Sequence, residues 1–199
     1  MLTRIYLALK RRAWYILNKG SFKELGAKSY VDSSLHIMGK KNISIGQGVY
    51  VGYKTWLAAV PDTNSDLCEL VIGRGTRLGN FNHIYATQSI KIGENVLTAD
   101  KVYISDNLHD YEDISIPVIL QKVKQINIVE IAEGAWLGEN VCVIGASIGK
   151  NSVIGANSVV TKDIPDYCVA VGSPAKIIKR FSTERQQWIK TDKDGNFIN

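Results

Sequence analysis

The sequence predicts an all-β protein built as a parallel β-helix. Three observations support this: a six-residue repeat runs through much of the chain, an aliphatic residue recurs at one position of the repeat, and a small residue follows it. With 17 glycines and 4 prolines among 199 residues, the composition favours a fold with many permissive backbone positions. The 45% of hydrophobic residues are enough to form a buried core.

The first element is an apolar but basic segment, Leu2 to Leu17. Its charge-free apolar runs, Ile5 to Leu9 and Ala13 to Leu17, are far shorter than the ~20 residues that a membrane-spanning helix requires. We expect a short helix within a capping segment, residues 1–39. The helix either packs on the main body or a neighbouring subunit, or makes a peripheral membrane contact through residues 1–19.

Six-residue repeats define the main domain, residues 40–180. Ile45-Gly46 is followed six residues later by Val51-Gly52, and Ile72-Gly73 by Leu78-Gly79. Further repeats start at Ile92, Ile131, Leu137, Ile148, Ile154 and Val160.

The repeat spacing matches neither a helical stripe nor two-residue alternation. Three hexads are therefore expected to form one triangular turn, with aliphatic side chains inside and Gly or Asn at the corners. Stacked turns would form parallel strands around an aliphatic column, whereas a β-sandwich with turns at similar intervals is the alternative.

Two polar interruptions of the repeat are expected to carry the chemistry, because they do not fill the core. They are Lys54 to Glu69 and a loop inserted at 105–127. The loop contains the run Asp106 to Tyr111, with His109 in the middle. Imidazole is the side chain best suited to accept a proton from a hydroxyl near neutral pH, so His109 is the candidate catalytic residue.

The repeat and the end of the main domain resemble the hexapeptide-repeat family of acyltransferases. The resemblance covers roughly residues 40 to 180 and is carried by two phrases, Ile154 to Pro165 and Val171 to Arg180. They look like the ending of maltose, galactoside and polysaccharide O-acetyltransferases. The resemblance implies a left-handed β-helix, acetyl-CoA as cosubstrate, no metal, and a homotrimer with the coenzyme in the groove between neighbouring prisms.

By this resemblance, His109 is the general base that deprotonates a sugar hydroxyl for direct attack on the thioester of acetyl-CoA. Candidates for binding the acceptor or orienting the base are Asn80, Asp106, Asp110 and Glu130. The alternative role for Asn80 is that of a corner residue with positive φ. Candidates for coenzyme binding are Trp136, Gly138, Ala156, Thr161, Lys162, Lys176, Lys179 and Arg180. Core packing is the alternative for Trp136, and a solvated basic tail is the alternative for the lysines.

The repeat stops after Arg180. A short helix from Ser182 to Lys190, capped by Ser182 or Thr183, is expected within the tail, residues 181–199. The short N- and C-terminal helices are expected to block the open edges at the two ends of the prism.

Charge and cysteine content restrict partners and location. The net charge of +5 suits a polyanionic ligand, a nucleic acid or an anionic membrane surface, and charge alone does not choose among them. With the resemblance taken into account, no nucleic-acid partner is expected. Three widely spaced cysteines without a CxxC motif indicate neither a disulfide framework nor a cysteine-rich zinc site. The expected location is the cytoplasm, with the inner face of the membrane as a more specific alternative.

The function expected is O-acetylation of a sugar in surface polysaccharide biosynthesis. N-acetylation of an amino sugar nucleotide stays open, because a base and acetyl-CoA serve an amine equally well. A zinc hydratase of the γ-carbonic anhydrase type would need three histidines, but His36, His83 and His109 lack the expected spacing. His36 and His83 are expected to be structural. A non-catalytic scaffold is the remaining alternative.

Overall fold

The computed structural model of the chain describes residues 2–192 and 195–198, with side chains from Ile5 onward. A helix, α1 (Leu2–Asn18), precedes a series of short strands, and single turns of 3-10 helix lie at Lys40–Asn42 and Val118–Leu120. In chain order the strands are β1 (Glu24–Leu25), β2 (Tyr30–Val31), β3 (His36–Met38), β4 (Ile43–Ile45), β5 (Tyr50–Val51), β6 (Trp56–Ala59), β7 (Glu69–Ile72), β8 (Arg77–Leu78), β9 (His83–Ala86), β10 (Ser89–Ile92), β11 (Leu97–Thr98), β12 (Tyr103–Ser105), β13 (Asn107–His109), β14 (Val123–Gln125), β15 (Val129–Ile131), β16 (Trp136–Leu137), β17 (Cys142–Ile144), β18 (Val153–Ile154), β19 (Val159–Val160), β20 (Cys168–Val171), β21 (Lys176–Ser182) and β22 (Gln187–Lys190).

The strands wind around a prism with three faces. The first face contains β1, β4, β7, β10 and β15; the second contains β2, β5, β8, β11, β16, β18 and β20; the third contains β3, β6, β9, β12, β17 and β19. Strands within each face are parallel, and equivalent hexad positions stack: Ile45 pairs with Ile72, and Ile72 with Ile92. The predicted all-β parallel helix is confirmed.

The core is a column of side chains at six-residue intervals. In the second coil Ile45, Val51 and Leu57 point inward and are fully buried. Later coils repeat the spacing with Ile72, Leu78 and Ile84; Ile92, Thr98 and Ile104; Ile131, Leu137 and Val143; and Ile148, Ile154 and Val160. A continuous aliphatic column therefore stabilises all the coils together.

The corners of the coils use left-handed backbone. Residues at the first corner, three positions after the interior residue, have φ between 51° and 72° and are Gly or Asn in five of the first six coils: Lys28, Gly48, Gly75, Asn95, Gly134 and Asn151. Gly and Asn adopt this region more readily than other residues, which confirms the predicted role of the small residues. The second corner is less uniform and contains Lys54, Phe81, Lys101, Asn140 and Asn157.

The prism begins earlier than the sequence analysis predicts. β1 pairs with β4 through Leu25 and Ile45, so the first coil lies in the segment expected to be only a cap before residue 40. Leu25-Gly26 carries the same aliphatic–glycine pair as the later coils. That pair was the available signal for the earlier start.

The N-terminal helix is confirmed, and it contacts the prism through an aromatic cluster. Trp14 lies 5.6 Å from the ring of Tyr30 and 6.3 Å from that of Phe22. Lys10 adds a salt bridge to Asp32 at 3.4 Å. Within the described part of the chain, no helix is long and apolar enough to cross a membrane.

The predicted C-terminal helix is wrong, because residues 182–190 belong to an antiparallel hairpin. β21 pairs with the edge strand β20, and β22 pairs with β21. Phe181 faces Trp188 directly across the hairpin, with the rings 5.6 Å apart. Ser182 accepts a hydrogen bond from the Arg185 N–H, but this bond closes the hairpin turn. Pairing with the open edge of the last coil outweighs the helical propensity of this short segment.

Candidate active site

His109 is the last residue of β13, at the base of a hairpin that projects from the third face. The segment predicted as a loop forms β13 and β14 at its base, and His109 pairs with Val123. We call the segment 106–126 the His109 hairpin. The imidazole is exposed and accepts or donates no hydrogen bond to any side chain among the described residues. It is therefore free to contact a substrate hydroxyl.

A cavity of about 380 Å³ lies beneath the His109 hairpin. Its wall on the third face is a row of aromatic rings, and its other wall is the hairpin itself. The lining residues are Trp56, His83, Tyr85, Tyr103, Asn107, Leu108, His109, Val123 and Ile144. His109 and an aromatic surface thus share one cavity.

The aromatic row follows from the register of the third face. Trp56 pairs with His83, and His83 with Tyr103, so one outward position of three successive coils is aromatic or imidazole. The His83 ring stacks on Trp56 with centroids 4.3 Å apart and 9° between the planes. Tyr103 meets His83 edge-on at 5.2 Å. Trp56 and Tyr103 were not predicted from the sequence, although each, like His83, directly precedes the last interior aliphatic residue of its coil.

Two polar atoms in this row have no partner. Trp56 Nε1 and His83 Nε2 are buried and make no hydrogen bond within the described residues. Burial lowers the pKa of His83, so its imidazole is neutral at neutral pH. Buried polar atoms without a partner are costly, so this row carries a local loss of stability.

Asp106 anchors the His109 hairpin and does not contact His109. Its fully buried carboxylate accepts hydrogen bonds from the backbone N–H groups of Thr87, Gln88 and Ser89 at 2.8–3.1 Å. The Thr87 hydroxyl and the Asn107 amide donate two more. The carboxylate therefore fixes the start of the hairpin against the turn between β9 and β10.

The far side of the hairpin base is fixed by Gln125. Its amide donates to the Asp106 carbonyl at 2.9 Å, while its oxygen accepts from Thr87 and Thr63 at 2.8 and 2.9 Å. Thr63 belongs to the other polar interruption, 54–69. The two interruptions predicted separately are thus joined over the third face.

The other candidates for orienting His109 are placed elsewhere. Asp110 accepts a hydrogen bond from the Glu112 N–H, within the hairpin. Glu130 is exposed on β15, which belongs to the first face. Neither carboxylate is hydrogen-bonded to His109 in the described part of the chain.

Asn80 occupies a corner and joins three coils. Its amide donates to Asp100 at 3.1 Å, and its side-chain oxygen accepts from the Tyr53 N–H at 2.9 Å. These contacts support the structural alternative for Asn80, although the positive φ belongs to its neighbour Phe81, at 55°.

Three of the coenzyme candidates line a second cavity. Thr161, Lys162 and Lys176 surround a space of about 470 Å³ between the last coil and β21. Two exposed lysines beside a cavity of this size can meet phosphate oxygens.

Gly138 and Ala156 form a close corner between the second and third faces. A Cβ on Gly138 would lie 2.7 Å from the Ala156 nitrogen, so only glycine fits there. Trp136, two residues earlier, is 49% exposed on the second face and is not a core residue.

The last two basic candidates lie apart from the second cavity. Lys179 is exposed on β21, where it pairs with Val169 and Lys190. The Arg180 guanidinium lies over the Phe197 ring at 5.8 Å and donates to the Gly195 carbonyl at 3.4 Å. Arg180 therefore holds the C-terminal segment.

The three histidines of the zinc alternative do not form a cluster. His36 meets the Trp56 ring edge-on at 5.9 Å, and Trp56 lies between His36 and His83 on the third face. Across the residues that the structure describes, no three His, Cys, Asp or Glu side chains are grouped to hold a metal ion.

Sequence similarity to other proteins agrees with this architecture. The chain is 32% identical over 169 residues to a galactoside O-acetyltransferase of Lactococcus lactis, covering 83% of this chain and 67% of that protein. It is 39% identical over 121 residues to a putative lipopolysaccharide biosynthesis O-acetyl transferase of Escherichia coli, covering 57% of this chain. A probable acetyltransferase of Mycobacterium tuberculosis is 37% identical over 138 residues, or 69% of this chain. The chain spans 62% of the length of the second relative and 44% of that of the third.

Solved structures share the left-handed prism. A hexapeptide-repeat acetyltransferase from Vibrio cholerae, complexed with acetyl coenzyme A, superposes with a TM-score of 0.56 at 26% identity, covering 84% of this chain and 76% of that one. An N-acyltransferase from Bacillus cereus, in complex with dTDP and 3-hydroxybutyryl-CoA, has the same fold with a TM-score of 0.70 at 19% identity, covering 85% and 88%. No family model matches the chain. On its hexad register, its prism and its galactoside O-acetyltransferase relative, the chain belongs to the hexapeptide-repeat acyltransferase family.

Proposed function

We propose that this chain is an acetyl-CoA-dependent acetyltransferase that acetylates a sugar hydroxyl, with His109 as the general base. One observation carries the proposal: an exposed imidazole, without a side-chain partner among the described residues, lies on a rigidly anchored hairpin above an aromatic-walled cavity. The relatives named as sugar and lipopolysaccharide O-acetyltransferases support this reaction class.

The acceptor is proposed to occupy the cavity beneath the His109 hairpin. Aromatic faces such as Trp56 and Tyr103 suit the apolar face of a sugar ring. His109 accepts the proton of the attacking hydroxyl and then returns it to the departing sulfur. Acetyl-CoA, when bound, supplies the thioester carbonyl that this oxygen attacks.

The coenzyme is proposed to lie along the groove marked by the tight Gly138–Ala156 corner and the Lys162–Lys176 cavity. The absence of a side chain at Gly138 lets neighbouring coils stack closely, which leaves a narrow corner beside the groove, and the lysines can hold phosphates. Trp136 lies on the second face of the prism and His109 on the third, so the two side chains of a single chain do not face the same groove. We therefore propose a homotrimer in which one prism supplies His109 and its neighbour supplies Trp136.

The biological setting proposed is the making of a surface polysaccharide in the cytoplasm. One supporting relative is named for lipopolysaccharide biosynthesis. Specificity for the sugar would reside in the interruptions 54–69 and 105–125, which meet through Thr63 and Gln125.

The test combines binding and turnover. Wild-type protein should bind acetyl-CoA saturably by calorimetry and release CoA thiol when a matching sugar is supplied. His109→Ala should lower kcat about 10³-fold while changing the Kd for acetyl-CoA less than about twofold. His36→Ala is the matched control, because His36 lies on the same face outside the cavity. Equal turnover by His109→Ala would remove His109 from the mechanism, and absence of acetyl-CoA binding would overturn the proposed activity.

The product distinguishes a hydroxyl from an amine acceptor. An O-acetyl ester is cleaved by hydroxylamine, whereas an N-acetyl amide resists it. Hydroxylamine-resistant acetylation would replace the proposed O-transfer with transfer to an amino sugar.

A further inference from the structure

Helix α1 has two opposed faces, and the prism covers only one of them. Trp14 packs on Tyr30, and the Arg11 guanidinium lies 5.6 Å from the ring centroids of Tyr30 and Tyr50. Tyr15 on the same side is partly buried. These contacts fix the orientation of the helix on the first coils.

The opposite face of α1 is an apolar arc with no covering element in the described chain. With about 100° of rotation per residue, this arc covers about 120° of the helix circumference, and its midpoint lies opposite Arg11. Ile5 is 51% exposed, Leu9 62%, Ile16 64% and Leu17 80%. The side chains in this arc, which we call the outer arc, are Ile5, Tyr6, Leu9, Ala13, Ile16 and Leu17.

Cations border the outer arc on both edges. On the helical wheel, Arg12 lies about 20° outside Ile5 at one edge of the arc. Lys10 lies about 20° outside Leu17 at the other edge. The first 23 residues contain six Lys or Arg and no Asp or Glu. Among the described side chains of α1, Lys10 forms a salt bridge, with Asp32 at 3.4 Å.

This charge pattern indicates which kind of partner covers the outer arc, a second copy of the helix or a lipid bilayer. Two copies of α1 packed on each other would bring the cations at their edges together without an acid to compensate them. A bilayer with anionic headgroups complements both features, because apolar side chains enter the acyl boundary while the flanking cations meet phosphates. We propose that the outer arc of α1 docks the protein on an anionic membrane surface. This inference rests on α1 alone and goes beyond the proposed acetyl transfer.

Vesicle flotation of the full chain tests the proposal. The protein should float with phosphatidylcholine vesicles that contain about 30 mol% phosphatidylglycerol, and not with phosphatidylcholine alone. Raising the salt from about 0.05 to about 0.5 M should release it. Leu9→Glu with Ile16→Glu should weaken binding about 100-fold, because two exposed apolar anchors are lost. Arg12→Gln, which keeps the outer arc, should weaken it about fivefold.

The control variant introduces the same two negative charges at exposed apolar residues outside α1. Leu67 and Ile119 are 77% and 80% exposed outside α1, so Leu67→Glu with Ile119→Glu should bind vesicles almost as wild type does. Equal loss in this control, or no flotation of wild type with either vesicle, would overturn the proposal. So would a lower solution mass of the Leu9→Glu, Ile16→Glu protein by light scattering, since a second copy would then cover the arc.

Discussion

At the scale of single residues, the carboxylate of Asp106 controls the position of a histidine that it does not touch. It accepts hydrogen bonds from backbone N–H groups in and next to the turn between β9 and β10. These bonds fix the first residue of the His109 hairpin. They tie the base of the hairpin to the prism.

Removing this carboxylate should cost both stability and activity. Asp106→Ala leaves three backbone N–H groups, one buried and two partly buried, without this acceptor, so we expect the free energy of unfolding to fall by about 3 kcal/mol. Denaturant unfolding measures this change, and kcat/KM should fall with it. Asp110→Ala is the control, because Asp110 accepts only a local bond, and it should change stability by less than about 0.5 kcal/mol. Equal stability of the two variants would contradict the anchoring role.

The pH dependence of stability should report on His83. Burial lowers the pKa of His83 below 6.5, so the unfolded chain binds a proton at a higher pH than the folded protein does. Stability is therefore expected to fall as the pH drops below about 6.5 and to stop falling at the lowered pKa. His83→Phe keeps a ring against Trp56 and cannot protonate, so its melting temperature should decline less over this range. His36→Phe retains His83 and should keep the wild-type decline; identical slopes for all three proteins would exclude His83 as the source.

The sequence identified His109 correctly as a residue in an insertion, but it could not choose among its acidic neighbours. Asp106, Asp110 and Glu130 all lie close to the insertion in the chain. The hydrogen-bond partners of these acidic side chains depend on which residues of neighbouring coils lie side by side. That alignment cannot be read from the sequence, because the interruptions change the length of the coils. Asp106 therefore reaches residues 17–19 positions earlier, a contact that local spacing does not reveal.

At the scale of elements, hexad spacing predicts the coils well because each coil buries its own aliphatic residues. It predicts the ends poorly. The tail contains Ser182 and a run of helix-forming residues, yet β20 offers an unpaired edge that the tail completes. That edge exists only once the prism has formed, so local propensity could not reveal it.

A corner substitution should stabilise the prism. Lys101 has φ 57° at a position where other coils use Asn, and its salt bridge to Glu139 is long and exposed. Lys101→Asn should raise the free energy of unfolding by about 0.5 kcal/mol, since Asn tolerates left-handed backbone better than Lys.

The matched control for this corner is Lys91→Asn. Lys91 is exposed within β10 and also forms one salt bridge, to Glu69. In extended backbone Asn is a poor choice, so this variant should be no more stable than wild type. A parallel gain in both variants would mean that charge, and not φ, is responsible.

At the scale of the whole molecule, the placement of the candidate residues on two faces makes the proposed trimer testable. His109→Ala and Trp136→Ala should each be inactive or severely impaired, the latter by about 30-fold. When the two variants are unfolded and reassembled together, about a quarter of the grooves should combine an intact His109 with an intact Trp136. Recovery of about a quarter of wild-type turnover supports a shared groove, whereas no recovery would place both side chains in one chain's site.

The C-terminal hairpin also bears on polymerisation. A prism of parallel coils has no intrinsic length, because each new coil repeats the edge on which it was laid. β21 runs antiparallel to β20, and β22 antiparallel to β21, so the last edge no longer matches the first coil of another molecule. The hairpin therefore prevents end-to-end stacking of prisms into fibres. It does so through the direction of its strands, so no bulky group is needed to cover this end of the prism.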